Sequence, residues 1–204
     1  MLVITATTYL LGYHGERSFA TAGILPRVDT VVKNARTLIG VPYDPLMGMH
    51  GNIGANAGFV VCSDVPNIAY GLSGFSLQKM LKDDFAKRPD AYDSGNGNKP
   101  GNPYFHRRAR NLYAYFAANN RLLSPTGIPV VGDLAFYRRR PNAYISHVAL
   151  VTETGSNGYR VMESAPGTVL AQEVAGESPI ERGWLLVGFG RLYTHVEKIT
   201  NESK

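Results

Sequence analysis

Ser146-His147-Val148-Ala149-Leu150-Val151 alternates with a period of two. In an extended chain Val148 and Leu150 fall on one face, and His147 and Ala149 on the other. Working outward, the same period marks Asp133–Arg138 before this stretch. After it come Tyr159–Ser164, Val169–Val174 and Trp184–Tyr193, with Gly, Asn and Pro turns between them. Toward the N-terminus the spacing changes to three and four. Val28, Val31, Val32, Ala35, Leu38 and Ile39 predict a helix stopped by Gly40, and Leu77–Lys87 and Arg107–Asn119 read the same way. Helices first and strands afterwards indicate an α+β fold, with an antiparallel sheet of about five strands packed on an N-terminal helical half.

Between these halves lies Gly58-Phe59-Val60-Val61-Cys62-Ser63-Asp64-Val65-Pro66. An apolar run turns here into a helix expected to reach about Tyr70. Ser63 is placed to cap it, and Pro66 falls in the first turn, where its missing N–H matters least. Cys62 therefore stands at a helix start. A thiol is a weak nucleophile until ionised, and a helix N-terminus and a neighbouring imidazolium both favour the thiolate. The bland alternative is a small, inert core cysteine. Of the five histidines, only His147 sits inside an alternating strand, which holds its ring stiffly enough to serve as a base for a distant nucleophile. Glu163, on the next strand, lies beside it if the turn at Gly155–Gly158 pairs the two strands, and a carboxylate there orients the imidazole.

Composition narrows the function. The chain has 204 residues, 44% hydrophobic and 18% charged, which suits a globular protein with an ordinary core. A single cysteine rules out an intrachain disulfide, and one cysteine with five scattered histidines shows no metal-ligand spacing, so no metal or other cofactor is expected. The net charge of +5 suits an anionic partner. Its arginines gather in two short clusters, His106-Arg107-Arg108 with Arg110 and Arg138-Arg139-Arg140, without a nucleic-acid motif, so nucleic acid is not the expected partner. The apolar start, residues 1–12, is too short to span a bilayer and lacks the basic opening of a secretory signal. Residues 41–58 and 93–103 are too rich in Gly, Asn and Pro for regular structure, and the second of these reads as a flexible excursion.

Taken together, Cys62-Ser63-Asp64, Gly132-Asp133-Leu134-Ala135-Phe136 and Ser146-His147-Val148-Ala149-Leu150-Val151 resemble the NlpC-type cell-wall cysteine peptidases of the papain-like clan. Gly40-Val41-Pro42-Tyr43 resembles their Gly-x-Pro-Tyr segment. A closer resemblance is to a bacterial family of unknown function within that clan. It is carried by Cys62-Ser63-Asp64-Val65, Leu77-Gln78 and His106-Arg107-Arg108-Ala109-Arg110-Asn111-Leu112, and the likeness covers roughly residues 30–193.

The resemblance implies a papain-like domain over 27–195, with an N-terminal arm over 1–26 and a tail over 196–204. It makes Cys62 the nucleophile, His147 the base and Glu163 the third member, where these enzymes commonly have His, Asn or Gln. Substrate and oxyanion contacts are expected from Tyr43, Asp44, Asn52, Asn56, Ser63, Asp64 and Arg107. The implied activity is endopeptidase or amidase cleavage of the peptide part of peptidoglycan, in the periplasm or outside the cell, with a cytoplasmic protein exported later as the alternative. A papain-like acyltransferase or transglutaminase-type enzyme using the same dyad is the nearest rival. A non-catalytic wall-binding module is the other, and it needs no reactive cysteine.

Overall fold

The computed structural model describes residues 25–49 and 57–193. Its order is α1 (Val28–Arg36), α2 (Asp64–Leu72), α3 (Leu77–Lys87), α4 (Ala109–Ala118), β1 (Leu122–Leu123), β2 (Leu134–Arg138), β3 (His147–Gly155), β4 (Gly158–Glu163), β5 (Gln172–Ala175), α5 (Ser178–Glu181) and β6 (Leu185–Gly190). The strands form one antiparallel sheet in the order β1-β6-β2-β3-β4-β5. The fold is α+β, as the change of period indicates. The sixth strand, β1, has only two residues, too few for any alternation to show. The expected arm and tail lie almost wholly outside the described residues.

The sheet's alternation sorts its side chains. Leu134, Phe136, Val148, Leu150 and Met162 face the helices and share a core with Val65, Ile68, Leu81, Leu112 and Phe116. Ala135, Tyr137, Ala149, Val151 and Val161 face the other way and pack with Trp184 and Phe189. Both faces are therefore covered, and β3 is buried from His147 to Thr152. α2 is buried along nearly its whole length and lies between α1 and the sheet. Asn34 of α1 holds Ser73 at 2.8 Å, and the Tyr70 hydroxyl donates to the Gly132 carbonyl at 2.9 Å.

Gly132 and Asp133 act in the scaffold. Gly132 takes φ +93°, and an added Cβ would stand 2.8 Å from Val28 and 3.0 Å from Tyr193. Asp133 accepts the Val130 N–H at 2.9 Å and pairs with Arg191 at 2.8 Å. Gly132→Ala adds both backbone strain and a clash, so it is expected to cost about 1–3 kcal/mol, read from chemical unfolding.

Residues 93–103 are irregular apart from one 3-10 turn at Gly95–Gly97, but those around Asn98 do not float free. Buried Asn98 and Asn111 exchange side-chain hydrogen bonds of 2.7 and 2.8 Å, and Asn98 also donates to the Asp93 carbonyl. A Gly- and Asn-rich composition signals missing regular structure, which is not the same as missing contacts. No helix among the described residues is long and apolar enough to cross a membrane.

Candidate active site

Four separate pieces of chain supply the site. The segment at 40–43 runs beside 169–171, with Gly40 donating to the Ala171 carbonyl at 2.9 Å and Ala171 to that of Val41 at 2.8 Å. On its other side Tyr43 pairs in parallel with Val60. This brings Tyr43 next to the run that ends in Cys62. The Ser164 hydroxyl, just past β4, donates to the Val60 carbonyl at 3.0 Å and so joins the end of β4 to the same run.

The turn holding Cys62 is fixed from both ends. The Asp64 N–H donates to the Val61 carbonyl at 3.0 Å, and the Asp64 carboxylate accepts the Val61 N–H at 2.9 Å. Only the carboxylate half of a capping box is present, because the bond from the Asp64 N–H goes to a backbone carbonyl and not to a side chain. The expected cap by Ser63 does not form, because its hydroxyl donates instead to the Arg107 carbonyl at 2.6 Å. Arg107 grips Asp64 through two nitrogens at 2.8 and 2.6 Å, reaches Asp44 at 3.2 Å and donates to the Gly48 carbonyl at 3.2 Å. All three charged side chains are buried. Burial raises the Asp64 carboxyl above its ordinary value, and Arg107 offsets only part of that rise. With a bidentate guanidinium and a backbone N–H on it, Asp64 is read as ionised.

Asp44, Ser63, Asp64 and Arg107, expected as substrate or oxyanion contacts, thus lie inside the protein and are bound to one another or to backbone. They position Cys62. Asn52 and Asn56 lie outside the described residues.

His147 opens β3, directly opposite Tyr137. Its Nε2 donates to Glu163 Oε2 at 2.8 Å, and both side chains are fully buried. With Nε2 committed to the carboxylate, Nδ1 is the nitrogen left for the sulfur. Cys62 interacts with the ring, although Nδ1 lacks the well-aligned bond found at Nε2. Burial alone would drive the proton off His147. The nearby Cys62, and the hydrogen bond and charge from Glu163, outweigh it and raise its pKa to about 9. Glu163 is held below the usual carboxylate range: burial opposes this, but His147, Arg182 and Gln172 prevail. Gln172 donates to its second oxygen at 3.3 Å, and Arg182 pairs with the same oxygen. Cys62 keeps 9% exposure while His147 and Glu163 have none, so of the three residues only Cys62 reaches the surface.

Tyr43 lies within electrostatic reach of Cys62. Burial first, then the charges of Cys62, Asp44 and Asp64, push its phenol well above the ordinary value, so it remains an O–H donor. Sequence reasoning missed the wall around the imidazole. Trp184 tilts over His147 with ring centres 5.0 Å apart, Tyr137 lies 5.5 Å away on the same ring, and the Arg139 guanidinium covers Trp184 at 3.8 Å. The single tryptophan was the one available signal, and nothing in its flanking residues points at His147. Among the described residues no group of three or more His, Cys, Asp or Glu is placed to hold a metal ion.

The stretch from Pro42 to Pro166 holds Tyr43, Cys62, His147 and Glu163 together, and it is the stretch matched, over residues 42–166, by the model of one protein family. The chain belongs to DUF1287, a domain of unknown function. The DUF1287 match includes α2 to β4 and leaves out α1, β5, α5 and β6. Gln172, Arg182 and Trp184, which orient Glu163 and cover His147, therefore come from outside the matched region. No curated protein matches the chain.

Because the Glu163 carboxylate helps to hold the proton on His147, Glu163→Gln is expected to move the alkaline limb of any activity profile downward from about 9. The sign follows from a raised pKa: the protonated ring exists below that value and is lost as pH rises through it. Turnover at the optimum is expected to fall about 100-fold or more, as a pH–rate profile of both proteins would show.

Proposed function

We propose that this protein is a cysteine-dependent amide hydrolase of the papain-like, NlpC-type kind, acting on the peptide part of peptidoglycan. The observation that carries the reading is the convergence of Cys62, His147 and Glu163 from α2's leading turn, the start of β3 and the end of β4. A nucleophile touched by a base, which is in turn oriented by a carboxylate, is the arrangement that acyl transfer requires.

The Cys62 sulfur attacks the amide carbon, and the carbonyl electron pair moves onto oxygen. The backbone N–H of Cys62 and the Tyr43 hydroxyl hold that oxyanion. His147 gives its Nδ1 proton to the leaving amine as the C–N bond breaks, which leaves a thioester on Cys62. Water then loses a proton to His147 and attacks the thioester, releasing a carboxylate and restoring the sulfur. Glu163 keeps the ring in the tautomer that both half-reactions use. Trp184, Tyr137 and Arg139 shield it from bulk water. The wall peptide as substrate, and a place in the periplasm or outside the cell, rest on the sequence resemblance.

Digestion of purified wall peptides, followed by mass spectrometry in water enriched in heavy oxygen, tests the reading. A hydrolase yields a new amine and a new carboxylate carrying one heavy oxygen. Products that instead incorporate an added primary amine in place of water indicate the acyltransferase reading. Intact peptides after prolonged incubation overturn both.

A further inference from the structure

Tyr137 and Arg138 are consecutive residues of β2, so their side chains leave the sheet on opposite faces. Tyr137 packs on His147. Arg138 enters a cleft of about 500 Å³ on the other face, between α4 and residues 143–145, within the size range of small-ligand sites. The Arg138 Nε is shut off from water and has no hydrogen-bond partner, and no ion pair forms on this guanidinium among the described residues. The residue as a whole is partly exposed, so its guanidinium presents an unpaired positive charge to the cleft.

The neighbouring charges do not meet it. Arg110, at the same cleft, is already paired with Asp93 at 2.7 Å and lies over the Tyr144 ring at 5.3 Å. The Asp93 charge is thereby spent on Arg110. The rest of the wall is mostly apolar, with Ala114, Ile145 and Val187 among its residues. A strongly hydrated anion such as phosphate loses its water against such a wall with one guanidinium in return. A carboxylate on an apolar body loses less and gains contact with the wall.

We propose that this cleft binds a small organic carboxylate with an apolar body, with Arg138 taking the carboxylate. The source is either the C-terminus of a short peptide or a free aliphatic acid. Binding there is independent of the chemistry at Cys62, and its measurement involves no turnover.

Nitrogen NMR of the arginine Nε–H groups, with the whole protein titrated separately with N-acetylalanylalanine, hexanoate, N-acetylalanylalaninamide and inorganic phosphate, is the test. A saturable shift of the Arg138 signal with both acids supports the class. A response to the dipeptide alone assigns the peptide source, and a response to hexanoate alone the aliphatic one. The amide and phosphate are expected to bind at least about tenfold more weakly than the acids. Arg138→Gln is expected to weaken acid binding about tenfold or more, and Arg140→Gln, an exposed neighbour, to leave it unchanged. If Arg138→Gln fails to fold, Ala114→Leu keeps the charge and narrows the cleft, and it too is expected to abolish binding. The proposal falls if neither acid binds, if the amide or phosphate equals the acids, or if acid affinity survives both substitutions.

Discussion

Cys62→Ala is expected to remove hydrolysis of wall peptides, by at least about 10⁴-fold in kcat, while the protein still unfolds as the parent does. The two halves of this result have separate causes. The reaction loses the only thiol in the chain, and no other side chain within reach of His147 is a nucleophile of comparable strength. The fold loses little, because Cys62 leads α2 without forming part of its hydrogen-bond ladder. The turn around it is held by Val61, Asp64 and Arg107. A change within about 1 kcal/mol is expected in chemical unfolding. Cys62→Ser keeps the shape and replaces the sulfur with a hydroxyl of far higher pKa, so it should be nearly as inactive. Digestion of the same peptides by wild type and variants at equal folded concentration is the measurement. Full activity in Cys62→Ala would end the proposal that the sulfur attacks.

Arg107→Met reverses the pattern: stability is expected to suffer first and activity as a consequence. The substitution keeps the length of the side chain and deletes a charge that lies between two buried carboxylates, at 2.6 Å from Asp64 and 3.2 Å from Asp44. Removing one partner from a buried ion pair costs about 3–5 kcal/mol. For a domain of this size that is a fall in Tm of about 6–20 °C. Arg107→Lys is not expected to rescue it, because an ammonium cannot supply the forked contact to Asp64 and the further bonds to Asp44 and the Gly48 carbonyl. Adding Asp64→Asn to Arg107→Met is expected to recover part of the loss by discharging one stranded carboxylate. Calorimetry of the four proteins checks this, and a melting point unchanged in Arg107→Met would show that the cluster does not hold the turn.

The amino-acid sequence already carries the change of period near Pro129, and with it an α+β fold. It also determined the singular placement of Cys62 at a helix start and of His147 in a strand, because period and turn chemistry are local properties of the chain. It misled where one residue type serves two ends. Arg107 reads as a surface cation near a candidate site, yet the fold turns it inward to Asp44 and Asp64. Trp184 carries no local mark of its place over His147, since that contact joins residues far apart in the chain.

The place of Glu163, by contrast, depends on strand pairing across the sheet. Counted back from the turn, Gly155 pairs with Gly158 and Glu153 with Arg160, a register that would set Glu163 opposite Leu150, on the face away from His147. A bulge between Val151 and Glu153 slips the register by one, so that Val151 pairs with Val161 and Leu150 with Met162. Glu163 then falls opposite Ala149, on the face of His147. Side chains alternate with a period of two, so one extra residue moves a carboxylate from one side of a sheet to the other. No pattern in the sequence marks where that residue will be accommodated, because the choice is made by the packing of both sheet faces at once.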